Sequence, residues 1–221
     1  MVNVKGLLLV SAVALAPVAG AAATVTIDSF DTAQFVITPS APGFDASSTV
    51  AAGEAIGGSR TITAAGNGTL FPVETTTINV GGGTASVSNS DDVTGTALFE
   101  WMAGGFDLTD GGTNDTFVLD INTVDLSVSY DLTIDGITSS SAANAMTGTV
   151  EFAFADFGNL ADAGSISLLV AGPASFDASF SFLGAEDLIA NPSAVPLPAG
   201  GLLLGSLLLG GGFVSRRKAK A

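Results

Sequence analysis

Carboxylates are the only acid–base groups this sequence supplies in quantity. It carries 21 Asp and Glu, no His and no Cys. A Ser-His-Asp triad, a thiolate nucleophile, and zinc or iron held by His or Cys are therefore excluded. The six basic residues are Lys5 near the start, Arg216, Arg217, Lys218 and Lys220 at the end, and Arg60 alone between them. A Schiff-base lysine is thus missing from the middle of the chain. The catalytic chemistry left is that of two paired carboxylates, as in glycoside hydrolysis. That mechanism needs one acid in dry surroundings to raise its pKa, and most of these acids fall at outward strand positions or in turns.

The densest polar cluster is Asp107-Leu108-Thr109-Asp110-Gly111-Gly112-Thr113-Asn114-Asp115. Hard oxygen ligands on a Gly-flexed loop are what calcium requires, so Asp107, Asp110, Asn114 and Asp115 are candidate ligands and calcium the one cofactor left open. The spacing matches neither an EF-hand nor a Gly-Gly-x-Gly-x-Asp repeat. A hairpin turn with solvated Asp side chains is the competing reading, and the favoured one. Glu100-Trp101 holds the only Trp. Sugar-binding sandwiches stack pyranose rings on exposed aromatics beside carboxylates, which makes Trp101 and Glu100 candidate carbohydrate contacts. Trp101 also ends an apolar strand, and burial in the core is the favoured alternative. Tyr130, the only Tyr, alternates with apolar residues and reads as core.

The elements that must position these groups are strands. Over 125–135, Leu126, Val128, Tyr130, Leu132 and Ile134 point one way, and Asp, Ser and Thr point the other. Val150, Phe152 and Phe154 repeat the pattern, as do Ile166, Leu168 and Val170, and then Phe176, Ala178, Phe180 and Phe182. Further strands are expected over 25–27, 60–63, 76–80, 84–88, 97–101 and 117–121. Turns are expected at Gly66-Asn67-Gly68, Gly81-Gly82-Gly83 and Asp110-Gly111-Gly112. No long segment has helical periodicity. An all-β, antiparallel two-sheet sandwich of jelly-roll type follows, with most Phe residues in its core.

The ends differ in kind. Over 1–23, Lys5 precedes an apolar run and the small residues Ala19-Gly20-Ala21-Ala22-Ala23. That order predicts a secretory signal peptide, cut between Ala23 and Thr24. At the other end, Val195-Pro196-Leu197-Pro198-Ala199 leads into an uncharged stretch over 197–214, then Arg216-Arg217-Lys218. As a helix, 197–214 would cross about 27 Å of hydrocarbon, with the basic cluster left cytoplasmic. Three segments result: signal 1–23, an acidic β-domain over 24–190, and a tail over 191–221. All 21 acids fall in the β-domain against Arg60 alone, a field that repels phosphate backbones and excludes nucleic acid as a partner.

The tail resembles the VPLPA variant of the PEP-CTERM sorting signals on exported proteins of Gram-negative bacteria: motif, apolar span and basic end match in order. The resemblance implies passage through the secretion machinery, transient anchoring in the inner membrane, and removal of the tail by an exosortase-type protease. It further implies a destination in the envelope or outside the cell, in systems that accompany exopolysaccharide. Within the β-domain, Ile56-Gly57-Gly58-Ser59-Arg60, Val93-Thr94-Gly95 leading to Trp101, Phe106-Asp107-Leu108-Thr109, the block 152–157, and Gly172-Pro173-Ala174 with Phe176-Asp177 resemble a broad group of such proteins. In that group the Trp is commonly followed by Asp-Gly, where this chain has Met102-Ala103. The group has no agreed activity, so the resemblance implies fold and location. The leading expectation is a non-enzymatic β-sandwich of the envelope or matrix, associated with exopolysaccharide. The alternatives are a carbohydrate-binding module and, third, a carboxylate glycosidase.

Overall fold

In a computed structural model of the protein, residues 24–39, 44–68, 74–142 and 145–187 are described. The signal segment through Ala23 and the tail from Val195 to Lys218 lie outside them. The strands are β1 Val25–Asp28, β2 Gln34–Pro39, β3 Asp45–Ala51, β4 Ser59–Asn67, β5 Thr75–Gly81, β6 Thr84–Asn89, β7 Thr94–Trp101, β8 Thr116–Val124, β9 Ser129–Ile134, β10 Ile137–Ser140, β11 Gly148–Ala153, β12 Ile166–Ala171 and β13 Asp177–Glu186. Three 3₁₀ turns, Ile56–Gly58, Phe154–Asp156 and Leu160–Asp162, are the only helical pieces among the described residues.

Two antiparallel sheets pack face to face. The first runs β11-β8-β13-β6-β5-β2, with β1 added against β13; the second runs β10-β9-β12-β7-β4-β3. From β6 onward the order is that of a jelly roll. Strands β6, β13, β8 and β11 lie side by side in one sheet and β7, β12, β9 and β10 in the other, each sheet continued by two earlier strands in the same sequence of neighbours. Alternating apolar residues from both sheets fill one continuous core, with Phe30, Phe99 and Phe180 meeting edge to face at its centre.

The structure corrects the expected elements at several points. The segment 125–135 is not one strand: β9 begins at Ser129, and Leu126 is exposed. Asp125 lies where the chain leaves β8 in one sheet for β9 in the other, and its carboxylate accepts the Asp177 amide at 2.7 Å. Phe182 does not continue the inward row, because β13 slips register against β8 between Ser179 and Phe182, and Leu183 and Ala185 take the core positions. Phe154 leaves β11 for a 3₁₀ turn. Gly66 and Asn67 belong to β4 rather than to a turn. Most of the described Phe residues are buried as expected, while Phe35, Phe44 and Phe106 are exposed.

Candidate functional site

The loop 107–115 is a turn closed by its own side chains. Asp107 Oδ1 accepts from the Thr109 amide at 2.8 Å and the Thr109 hydroxyl at 2.6 Å, and Oδ2 from the Gly111 amide at 3.1 Å. These bonds, the Thr109 hydroxyl foremost, hold the Asp107 carboxyl below its ordinary pKa. Asp110 accepts from the Thr113 hydroxyl, and Asp115 from the Thr116 hydroxyl. Asp107 and Asp110 are exposed, whereas Asn114 is buried and donates to the Leu108 carbonyl at 3.2 Å. The four candidate calcium ligands are thus divided between solvent and interior. Among the described residues, no three acidic side chains converge as a metal group would require.

Glu100 and Trp101 part company because successive residues of β7 face opposite sides. Glu100 stands on the outer face of the second sheet, in register with Thr61 of β4 and Ser167 of β12. Thr133 of β9 and Thr138 of β10 prolong this row of hydroxyls to the sheet edge. Trp101 lies in the core. Its ring is 1% exposed and stacked on Phe99, and the indole Nε1 donates to Asp28 Oδ2 at 2.7 Å.

Asp28 is the residue the sequence did not single out. It lies at the end of β1 in the first sheet, while Arg60 and Trp101 come from β4 and β7 in the second. Arg60 Nη1 donates to Asp28 Oδ2 at 2.8 Å and Oδ1 at 3.0 Å, Nη2 to the Thr32 carbonyl at 2.7 Å, and Nε to Gln34 Oε1 at 2.9 Å. The Phe30 amide adds a 2.7 Å bond to Asp28 Oδ1, and the guanidinium stands 5.7 Å from the Phe30 ring centroid. Both charged side chains have zero exposure. A signal for this was present: Arg60 shares the parity of Ile62 and Ala64 on β4, so its charge had to enter the core and find a carboxylate there. Two of the short blocks quoted above meet at this point. Gly57, at φ +71°, lets the turn before Arg60 press against the strand end after Trp101, since a Cβ there would fall on the Met102 carbonyl oxygen. Multiply bonded and closed to solvent, this network ties the two sheets together.

A shallow cleft of about 200 Å³ opens beside the β9–β10 turn, lined by Ile134, Asp135, Ile137, Gly158, Asn159 and Asp162. It brings two carboxylates to one concavity, the minimum a glycosidase needs. Asp135, however, accepts the Ser165 amide at 2.8 Å and the Gly164 amide at 3.0 Å. These bonds, from Ser165 first and Gly164 next, push its pKa down, opposite to what a general acid requires.

No family model and no curated protein matches this chain. Solved structures do. The chain is similar to the family 11 carbohydrate-binding module of a cellulosomal cellulase of Clostridium thermocellum at 12% identity and TM-score 0.39, over 75% of this chain and 95% of that one. The same module in complex with a β-1,3-1,4-mixed-linked tetrasaccharide gives 12% and 0.37, over 75% and 96%. A family 29 carbohydrate-binding module gives 12% and 0.36, over 73% and 99%.

Proposed function

We propose that this protein is an exported, non-enzymatic β-sandwich that works in the envelope or extracellular matrix by contact with polysaccharide. One observation carries the reading: the groups best equipped for chemistry, Arg60, Asp28 and Trp101, are sealed between the sheets, and the outer sheet faces carry hydroxyls, amides, scattered carboxylates and, on β2, the exposed Phe35 and Ile37. Rows such as Asn79, Ser86, Ser179 and Thr123 offer donors and acceptors at the strand spacing, which suits a polyol better than a phosphate. The acidic exterior and the tail motif Val195 to Ala199 support the location. In this reading the signal is cut after Ala23, the tail is removed by an exosortase-type protease, and the inner membrane holds the chain only in transit.

Fractionating cells with and without the sorting protease, and weighing the mature protein, tests the location. The expected result is a surface or released form lacking both ends, with a tailed form held in the membrane when the protease is deleted. An untrimmed chain in the cytosol would overturn the reading. Polysaccharide contact is tested by the electrophoresis described below.

A further inference from the structure

The outer face of the first sheet carries a feature absent from the second. Strands β2, β5 and β6 are adjacent and contain no charged residue at all, in a chain with 21 carboxylates. Phe35 and Ile37 of β2 point outward from this neutral zone, 59% and 48% exposed. Register places Phe35 beside Asn79 of β5, Asn79 beside Ser86 of β6, Ser86 beside Ser179 of β13, and Ser179 beside Thr123 of β8. One aromatic ring is thus followed by an amide and three hydroxyls across five strands, roughly 19 Å at the usual strand separation.

We infer that this strip binds an uncharged polysaccharide chain, with one sugar ring stacked on Phe35 and its neighbours hydrogen-bonded along Asn79, Ser86, Ser179 and Thr123. The inference rests on the polysaccharide reading and assigns it a place and a ligand class. Two observations point to this occupant. An exposed aromatic beside amide and hydroxyl groups matches a sugar, which has an apolar C–H face and a hydroxyl rim. The strip is neutral while carboxylates stand at its margins, Asp31 before β2 and Asp177 on β13, so a uronate or sulfated polymer would be repelled and an uncharged one would not.

Affinity electrophoresis of the full chain through gels containing a soluble β-glucan, a galactomannan or alginate tests this, with Phe35→Ala, Asn79→Ala and Glu100→Ala variants run alongside. Retardation by at least one uncharged polymer and none by alginate is expected. Phe35→Ala should weaken it about tenfold and Asn79→Ala severalfold, with Glu100→Ala unchanged and all melting temperatures within a few degrees of the parent. Retardation lost in Glu100→Ala but kept in Phe35→Ala, or retardation by alginate alone, would overturn the strip and leave the polysaccharide reading standing. No retardation by any polymer would overturn both. A dimer in sedimentation that Phe35→Ala dissociates would reassign the face to self-association.

Discussion

Arg60 and Asp28 form a two-point ion pair, 2.8 and 3.0 Å, with no solvent access to either side chain and with one partner from each sheet. Such a pair is costly to desolvate, and the cost is offset only because nearly every remaining donor and acceptor around it is engaged. Removing one member leaves the other charged and dry. Arg60→Met is expected to destabilise the fold by about 3–5 kcal/mol, and Asp28→Leu by a similar amount. The double variant should lose less than the sum of the two. Urea unfolding of all three checks this; additive losses would show that the pair does not act as a unit.

Gly57 and Gly58 both have positive φ, but only Gly57 lacks room for a side chain. Gly58→Ala should cost about 1 kcal/mol of backbone strain. Gly57→Ala must in addition push the turn off the Met102 carbonyl, and is expected to cost more than about 2 kcal/mol. The thermal midpoints of the two variants give the comparison directly, and equal shifts would refute the close approach.

Tyr130 is buried in the core with a hydroxyl that has no hydrogen-bond partner, and burial raises its pKa to about 12. An unfolded chain ionises its Tyr near pH 10, so above that the unfolded state sheds a proton the native state keeps. Stability should hold below pH 10 and fall between pH 10 and 12. Tyr130→Phe should remove that part of the alkaline decline and add about 1 kcal/mol at neutral pH by deleting an unpaired polar group. Denaturant midpoints across the range measure both effects.

Asp135 has a lowered pKa through its bonds from the Ser165 and Gly164 amides. A depressed carboxylate stabilises the native state above the unfolded carboxylate range, and that contribution is lost as pH falls through the folded value. Asp135→Asn should be less stable than the parent at neutral pH and lose less on acidification. Parallel acid titrations followed by circular dichroism should show the two curves converging at low pH.

How much of this was legible depended on whether pattern and burial agreed. The strand β9 alternates apolar and polar residues in step with inside and outside, so its inward residues could be read directly. The strand β2 could not, because Gln34 and Thr38 point inward while Phe35 and Ile37 point outward. The inversion arises where the sandwich edge is closed by Gln34, which bonds Arg60 and Ser48 at once. In β3 the sequence Asp-Ala-Ser-Ser-Thr-Val-Ala has no buried position, as befits an edge strand. The β9–β10 hairpin had a readable signal in Asp135-Gly136, both at positive φ, and was missed inside the longer alternating run. Trp101 at the end of an apolar strand left burial and exposure open with burial favoured, and its link to Asp28 is a contact between residues 73 positions apart. Local pattern could require a partner for Arg60 without saying which of 21 acids it was.

The last strand of the domain is a central one: β13 pairs with β8 and β6 and also receives β1. A chain made from its N-terminus cannot complete the first sheet until residues 177–186 have been synthesised, and the pairing then spans almost the whole domain. Closure of this kind is slow, because distant segments must meet before any of them is rewarded. Under the proposed export, such a delay would leave the chain unfolded long enough to be threaded through a translocation pore.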